Sequence, residues 1–478
     1  MAHRHLYLRV IAAAALALAV GACNRASTAG SVLQDAQDAL GNPTSIRITA
    51  TGGNGFFGQA LTAGQPWPMR ELSGLTRTID FESNAAMDEL SFAQPVFGGQ
   101  QQTQVVSFDR AWNVGANGMP APQLAAVEER QLAILMTPHG FVRAGLAAGD
   151  AAMLTEGDGS NTVTFTALDK YRLEGTIDDN NQVTSVRTTI PNTVLGDTAL
   201  VASYSDYRDF NGIQFPGTIQ VEQGGFPTWQ LTVSNVEQNP TADFSVPAAV
   251  QSATPAPVEV ASTQIAPGVW HVAGGSHHSV VIEFADHIAV AEAPLSDERS
   301  LAVIAEAKRL VPDKPIRYLL TTHHHFDHTG GFRTYVAEGA TIVTHQSNVD
   351  YFEQAAAAPA TLMPDTLANN PQQPMFQGVS ERTVLTDGRQ TIEIYPTSGD
   401  THTNEYTLIY LPGPRILIEG DAYSPGPANA PPPQGPPAPN TVKLYEDIQA
   451  LGLNVATIAP IHGRGAVPFA ELRTAAGK

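Results

Sequence analysis

The feature that most constrains this chain is the run His323-His324-His325-Phe326-Asp327-His328. Residues 316–321 before it are typical of a buried strand, and Gly330-Gly331 follow it. Alternate positions at the end of an extended strand point the same way, whereas a helix would place them on different faces. Imidazole nitrogens and carboxylate oxygens are the ligands that Zn²⁺ and similar divalent ions prefer. The run therefore predicts a metal site where a strand passes into a loop.

Three further candidate ligands each follow a strand-like run later in the chain. His402 follows the run 391–396, Asp421 follows the run 415–418, and His462 follows the run 455–458. Side chains at the ends of such strands can meet at one edge of a sheet. Of the 14 histidines, 11 lie after residue 260, which places the chemistry in the C-terminal half.

In its motifs and their order, the region from about residue 260 to 478 resembles the metallo-β-lactamase superfamily. The resemblance implies an αββα sandwich with two Zn²⁺ ions per chain, Fe²⁺ being the alternative metal. It assigns one metal to His323, His325 and His402 and a second metal to Asp327, His328 and His462, with Asp421 bridging the two. His324 stands at a position that is not a ligand and is expected to pack or bond locally.

Four other residues are candidate substrate contacts. His277 and His278 lie near the metal mouth in similar sequences, although a solvated turn is an equal alternative. Tyr423 is a candidate oxyanion donor, and Arg464 could reach an anionic group or form a structural salt bridge. Glu292 stands where the family often has an aspartate at the end of a strand, and it is expected to be a structural support.

The function that this resemblance implies is dinuclear zinc hydrolysis of an ester, lactone, amide or thioester. A metal-bound hydroxide would attack the substrate, and Asp327 would be the catalytic residue that holds the water and accepts its proton. The alternatives are a mononuclear iron dioxygenase of the same fold, a specific β-lactamase, and a non-catalytic ligand-binding lipoprotein. The substrate, expected to be a small molecule, stays unnamed because specificity resides in the loops around such a site.

The charge balance excludes one class of partner. The 478 residues carry a formal net charge of -20, whereas binding to nucleic acid needs basic patches that neutralise phosphates. We therefore expect no nucleic-acid partner.

The N-terminal residues are typical of a targeting segment. Arg4 and Arg9 precede an apolar stretch over residues 10–20, and residues 20–23 resemble a bacterial lipobox that ends at Cys23, the single cysteine. We expect a signal peptide over residues 1–22 and a lipid anchor at Cys23, on the periplasmic face of a bacterial membrane. Asn24 leaves sorting to the outer membrane open.

The remaining pattern predicts an α+β chain of two domains. Residues 23–43 are expected to be a tether with a helix at 32–40, and residues 44–247 a mostly antiparallel β domain with helices at 125–135 and 141–154. That domain weakly resembles periplasmic lipoprotein carriers, and its role is open between holding a ligand and acting as a spacer.

A linker over residues 248–260 precedes the C-terminal domain at 261–478, with helices predicted at 297–310 and 445–451. Long irregular segments are expected at 355–377 and 424–440. The second of these is interpreted as a wall or lid over the metals, with a solvated loop as the alternative.

Overall fold

The computed structural model describes residues 27–96, 99–115, 117–399, 402–429 and 435–478. In these residues the chain forms three β-sheets, one in the N-terminal part and two in the C-terminal part. The predicted signal peptide and the lipid-anchor site at Cys23 lie outside the described residues. Among the helices that are described, none combines the length and apolar character needed to cross a membrane.

The N-terminal domain is built on an antiparallel sheet, as the alternating pattern predicted. Its strands are β1 (Ser45–Gly55), β2 (Met69–Asp80), β3 (Ala85–Phe92), β4 (Gln101–Ser107), β5 (Arg110–Val114), β6 (Pro120–Pro122), β7 (Met153–Gly157), β8 (Ser160–Ala167), β9 (Tyr171–Asp178), β10 (Val183–Asn192), β11 (Gly196–Asp209), β12 (Gln214–Gln223) and β13 (Phe226–Gln238). Neighbours in sequence pair with one another from β1 to β6 and from β7 to β13, and β1 pairs with β13 to join the two halves.

Three helices cover one face of this sheet: α1 (Ala29–Leu40), α2 (Val127–Leu135) and α3 (Pro138–Ala148). Helix α1 begins with a capping box between Thr28 and Ser31, and Leu33 is fully buried in the core beneath it. The predicted tether is therefore wrong for Ala29–Leu40, because this segment is part of the domain core. The predicted helix 141–154 is also too long, since Gly149 adopts a φ of 55° and ends it.

The C-terminal domain contains two further sheets. The first has β14 (Ala261–Ala266), β15 (Val269–Ala273), β16 (Ser279–Glu283), β17 (Ile288–Ala291), β18 (Ile316–Leu320), β19 (Thr341–His345) and β20 (Met375–Val379) in chain order. The second has β21 (Thr383–Thr386), β22 (Thr391–Thr397), β23 (Tyr406–Leu411), β24 (Ile416–Glu419), β25 (Thr457–Pro460) and β26 (Val467–Pro468). The predicted linker contains a short helix, α4 (Ala248–Gln251), whose Val250 is buried against the N-terminal domain.

The two sheets face each other and helices cover both outer sides, so the predicted αββα sandwich is confirmed. The helices are α5 (Asp297–Leu310), α6 (Phe326–Thr329), α7 (Phe332–Ala337), α8 (Val349–Ala357), α9 (Thr366–Asn369), α10 (Pro439–Ala450) and α11 (Phe469–Ala475). Helices α5, α7 and α8 share an apolar core with the first sheet, and α10 and α11 share one with the second. A third apolar core lies between the sheets.

Two boundaries in this domain differ from the prediction. The segment 355–377 is not irregular throughout, because it contains α9 and the start of β20. The helix predicted at 445–451 begins earlier, at Pro439, where proline suits the first turn because its missing N–H would have no partner there.

The two domains touch at the β1–β2 loop (residues 56–68), which lies against the histidine-rich run. The Gly58 carbonyl accepts a hydrogen bond from the Phe326 amide at 3.3 Å, and the Leu61 carbonyl accepts one from Asn404 at 2.7 Å. The rings of Phe57 and Trp67 pack edge-on against Phe326. A segment of the N-terminal domain is therefore in direct contact with the candidate metal centre.

Candidate metal centre

The candidate ligands lie where strands of the two facing sheets end. Strand β18 ends at Leu320, just before the run His323–His328, and the parallel strands β24 and β25 end just before Asp421 and His462. His402 lies in the connection between β22 and β23. Because these strand ends share one edge of the sandwich, all seven predicted ligands come together there.

Three imidazoles form one potential binding group: His323, His325 and His402 offer nitrogens within 4.8 Å of one another. His323 Nδ1 lies 3.0 Å from Thr322 Oγ1, and His325 Nε2 lies 2.9 Å from the Ala60 carbonyl oxygen. A carbonyl oxygen only accepts, so His325 carries its proton on Nε2 and leaves Nδ1 as a lone pair. Among the described residues, neither His325 Nδ1 nor the buried His323 Nε2 has a hydrogen-bond partner. A cation bound here would be coordinated by the lone pairs of these two nitrogens.

Asp421 lies between this group and a second one. Its Oδ2 is 3.0 Å from His402 Nε2, and its Oδ1 is 2.7 Å from His328 Nε2 and 2.9 Å from His462 Nε2. His323, His328 and Asp421 form one further set of potential ligands. The carboxylate therefore occupies the position from which it could bridge two ions.

The second group contains one residue that the ligand assignment did not include. His277 joins Asp327, His328 and His462, with potential ligand atoms within 4.8 Å of one another. His277 Nε2 lies 3.1 Å from Asp327 Oδ2, and its Nδ1 lies 2.8 Å from Ser276 Oγ. The structure thus places His277 at the centre, beside the carboxylate predicted to be catalytic.

Burial and charge set the protonation of this centre. Burial lowers the pKa of His323 well below its ordinary value and that of His325 to about 3, which keeps both rings neutral with a lone pair available. Burial also acts to lower the pKa of His328, but Asp421 and Glu292 outweigh it and raise that pKa. Burial acts to raise the pKa of Asp421, but neighbouring histidines, His328 first, hold it well below its ordinary value. The neutral rings of His323 and His325 beside the ionised Asp421 carboxylate are donors that fit divalent cations.

Glu292 and Glu419, both fully buried, support the ligands from behind. Glu292 Oε2 is 2.6 Å from His328 Nδ1, and its Oε1 accepts a hydrogen bond from the Thr322 amide at 2.6 Å. It therefore orients the candidate ligand His328 and the backbone next to the candidate ligand His323, in keeping with the structural support that was expected of it. Glu419 accepts hydrogen bonds from the amides that follow Asp421. The one sign of Glu419 in the sequence is an acid at the end of an apolar strand.

Tyr406 is a further support that the sequence reasoning missed. Its hydroxyl accepts hydrogen bonds from the amides of Gly420 and Asp421, at 2.5 and 3.1 Å, and its ring stacks on His323 with centroids 5.5 Å apart. It joins a candidate ligand at one strand end to a candidate ligand at another.

The remaining predicted substrate contacts lie in other surroundings. His278 is buried, with Nε2 2.8 Å from the Gly463 carbonyl oxygen. Tyr423 is largely buried in the apolar core beneath α10. Arg464 pairs with Glu471 and donates from Nε to the Gly426 carbonyl at 2.8 Å, so it fastens the start of the segment 424–440. The structure thus gives these three side chains packing and anchoring partners.

His324 forms its hydrogen bond with a residue far away in the sequence, whereas a local contact was expected. Its Nε2 lies 2.9 Å from the Ala60 carbonyl oxygen, the same atom that contacts His325. A backbone carbonyl about 260 positions earlier leaves no signal in the sequence, so only the fold could reveal this contact.

Taken together, the described geometry defines a metal-binding domain of the αββα class, with histidine and aspartate ligands at the edge where the two sheets meet. Residues 272–462 match the model of the Metallo-beta-lactamase superfamily, and this part of the chain belongs to that superfamily. The comparison with curated proteins returns no match.

Solved structures of similar shape include metallo-beta-lactamases. One from Pontibacter korlensis is 18% identical, with 46% of this chain and 98% of that chain covered and a TM-score of 0.34. FIM-1 from Pseudomonas aeruginosa, in a mono-zinc form, is 19% identical, with 47% and 96% covered and a TM-score of 0.35. A metal-soaked flavodiiron core from Synechocystis is 16% identical, with 46% and 60% covered and a TM-score of 0.36.

Proposed function

We propose that the protein is a dinuclear zinc hydrolase that cleaves a small ester, lactone, amide or thioester. The observation that carries this proposal is the position of Asp421, within 3.0 Å of His402 in one ligand group and of His328 and His462 in the other. One carboxylate between two separate groups of imidazole and carboxylate donors suits a pair of cations better than a single structural ion. When bound, such a pair lowers the pKa of water and polarises the oxygen of the substrate.

Asp327 is the residue best placed to manage a proton. Its side chain is 30% exposed, whereas the neighbouring His328 is fully buried, so water can reach Asp327. Burial acts to raise the pKa of Asp327, but the hydrogen bond from His277 and the nearby His328 lower it below its ordinary value. The carboxylate is therefore ionised, holds a water molecule by accepting its hydrogen bond, and receives its proton as the substrate is attacked.

Metal analysis paired with a substrate panel tests this proposal. We expect two equivalents of zinc per purified chain and turnover of at least one of a p-nitrophenyl ester, a γ-lactone, a chromogenic cephalosporin and a thioester. Asp327→Ala should lower kcat/KM by about 100-fold or more, because it removes a proton acceptor and a ligand together. Asp350→Ala, an exposed aspartate at the start of α8, is the matched control and should behave as wild type.

Three outcomes would contradict the proposal. Wild-type protein without stoichiometric metal, or an Asp327→Ala variant as active as wild type, would refute the mechanism. Iron with oxygen uptake would favour the dioxygenase alternative, since imidazole and carboxylate donors also suit Fe²⁺. Full metal content without turnover of any member of the panel would favour a binding protein.

A further inference from the structure

The β1–β2 loop is held rigidly where it crosses the metal centre. Gly58 adopts a φ of 73°, and a Cβ atom there would lie 2.6 Å from the Phe326 ring, so the backbone packs directly on the residue beside Asp327. The Gln59 amide donates to the Phe56 carbonyl at 3.1 Å, which closes a turn. The rings of Phe57 and Phe326 lie 5.3 Å apart at right angles. The loop therefore delivers its next side chain to a defined position.

That side chain is Gln59, whose Nε2 donates to Asp327 Oδ1 at 2.7 Å. An ionised carboxylate only accepts hydrogen bonds, so the amide nitrogen must face it. The other oxygen, Oδ2, lies 3.1 Å from His277 Nε2. Each oxygen of Asp327 thus has its own donor, and these two contacts fix the rotation of the carboxylate.

We propose that Gln59 is a positioning residue for Asp327, so that the N-terminal domain completes the metal centre of the C-terminal domain. The inference rests on the proposed function. Partners of this kind orient ligating carboxylates, and their loss typically costs 10–100-fold in metal affinity or activity. Gln59 is uncharged, so it can hold Asp327 without neutralising the carboxylate. The Ala60 carbonyl, which fixes His325, is the backbone counterpart of the same contact.

Four variants of the full chain separate positioning from packing. Gln59→Ala removes the donor, and Gln59→Asn keeps an amide that is one methylene too short. Gln59→Glu keeps the length but places a like charge against Asp327. Gln65→Ala is the matched control, because Gln65 is an exposed glutamine in the same loop.

Each variant is stripped of metal, titrated with Zn²⁺ against a chelator, and reconstituted with Co²⁺ to record its visible absorption. We expect Gln59→Ala and Gln59→Asn to weaken binding of the second zinc equivalent by about 10-fold or more, with the first unchanged. The cobalt absorption of the second site should shift. Gln59→Glu should weaken binding of the second zinc equivalent further, and Gln65→Ala should match wild type. On whichever ester is turned over, kcat should fall about 10-fold while KM changes less than about twofold.

The inference is overturned if Gln59→Ala matches Gln65→Ala in the affinity of the second equivalent and in the cobalt spectrum. It is also overturned if both equivalents weaken together with the thermal midpoint, because that pattern means the loop is merely structural. Failure of the proposed function looks different. In that case the wild type turns over no substrate, while the zinc and cobalt titrations still report on Gln59.

Discussion

Gly420 lies where three side chains of the metal centre leave no room for a Cβ atom. Such an atom would lie 2.6 Å from Thr322 Oγ1, 3.0 Å from the Tyr406 hydroxyl and 3.2 Å from His323 Cε1. The glycine before Asp421 is therefore required by close approach between strand ends. At the scale of single residues, the candidate centre depends on small residues that offer no ligand atom as well as on its candidate ligands.

We expect Gly420→Ala to displace Thr322 and His323 and to weaken zinc binding by about 10-fold or more, because the orientation of a ligand is lost. Overpacking of this kind also costs about 1–3 kcal/mol of stability. A zinc titration and denaturant unfolding measure the two effects. Gly413→Ala is the control, since a Cβ atom at Gly413 would meet nothing within 4 Å. Equal zinc affinity in the two variants would show that the crowding at Gly420 is easily relieved.

Helix α1 shows, at the scale of elements, how a packed segment can be mistaken for a tether. Its apolar residues are spaced for one helix face, and Val32, Leu33, Ala36 and Leu40 are buried against the N-terminal sheet and α3. A Cβ atom on Gly145 of α3 would lie 2.8 Å from Leu33 Cδ1, so the two helices are in close contact. Helix α1 is therefore part of the packed core of the N-terminal domain.

Leu33→Ala should therefore lower the free energy of unfolding by about 2–5 kcal/mol, as expected for a fully buried leucine. Denaturant unfolding monitored by circular dichroism checks this. Asp35→Ala, on the exposed face of the same helix, should change stability by less than about 0.5 kcal/mol. If the two variants were equally stable, the helix would be acting as a tether after all.

At the scale of the whole molecule, the domains are joined away from the metal centre as well. The Asp197 carboxylate, at the start of β11, accepts hydrogen bonds from the Thr361 amide at 2.9 Å and the Leu362 amide at 3.2 Å. The Asp197 amide donates to the Pro359 carbonyl at 2.6 Å. This contact and the β1–β2 loop hold the domains at two separate places, so the orientation that brings Gln59 to Asp327 is defined.

Asp197→Ala should lower the free energy of unfolding by no more than about 1 kcal/mol at pH 7, because the contact is exposed. Slight burial acts to raise the pKa of Asp197, but the hydrogen bonds from Thr361 and Leu362 hold it below its ordinary value. A lowered pKa stabilises the fold above the unfolded value near pH 4 and ceases to do so as the pH falls through the folded value.

The difference in the free energy of unfolding between wild type and Asp197→Ala should therefore be largest at pH 6–7 and shrink below about pH 4. Denaturant unfolding at several pH values measures it, with Asp35→Ala as the control. A difference that grows as the pH falls would contradict the assignment of the carboxylate as the stabilising form.

The sequence alone pointed to the αββα class and to seven candidate ligands, because its motifs and their order resemble the metallo-β-lactamase superfamily and residue type is a local property. Residues such as His323 and Asp421 can be recognised in the sequence by residue type and by their position after apolar runs. The partners of these residues could not be predicted in the same way. Tyr406 and Gln59 are far from their partners in the sequence, and Ala60 makes its contact through a backbone carbonyl, which every residue type carries. Only the tertiary structure decided which loop of the N-terminal domain lies against the metal centre, because that choice depends on how two separately built domains pack together.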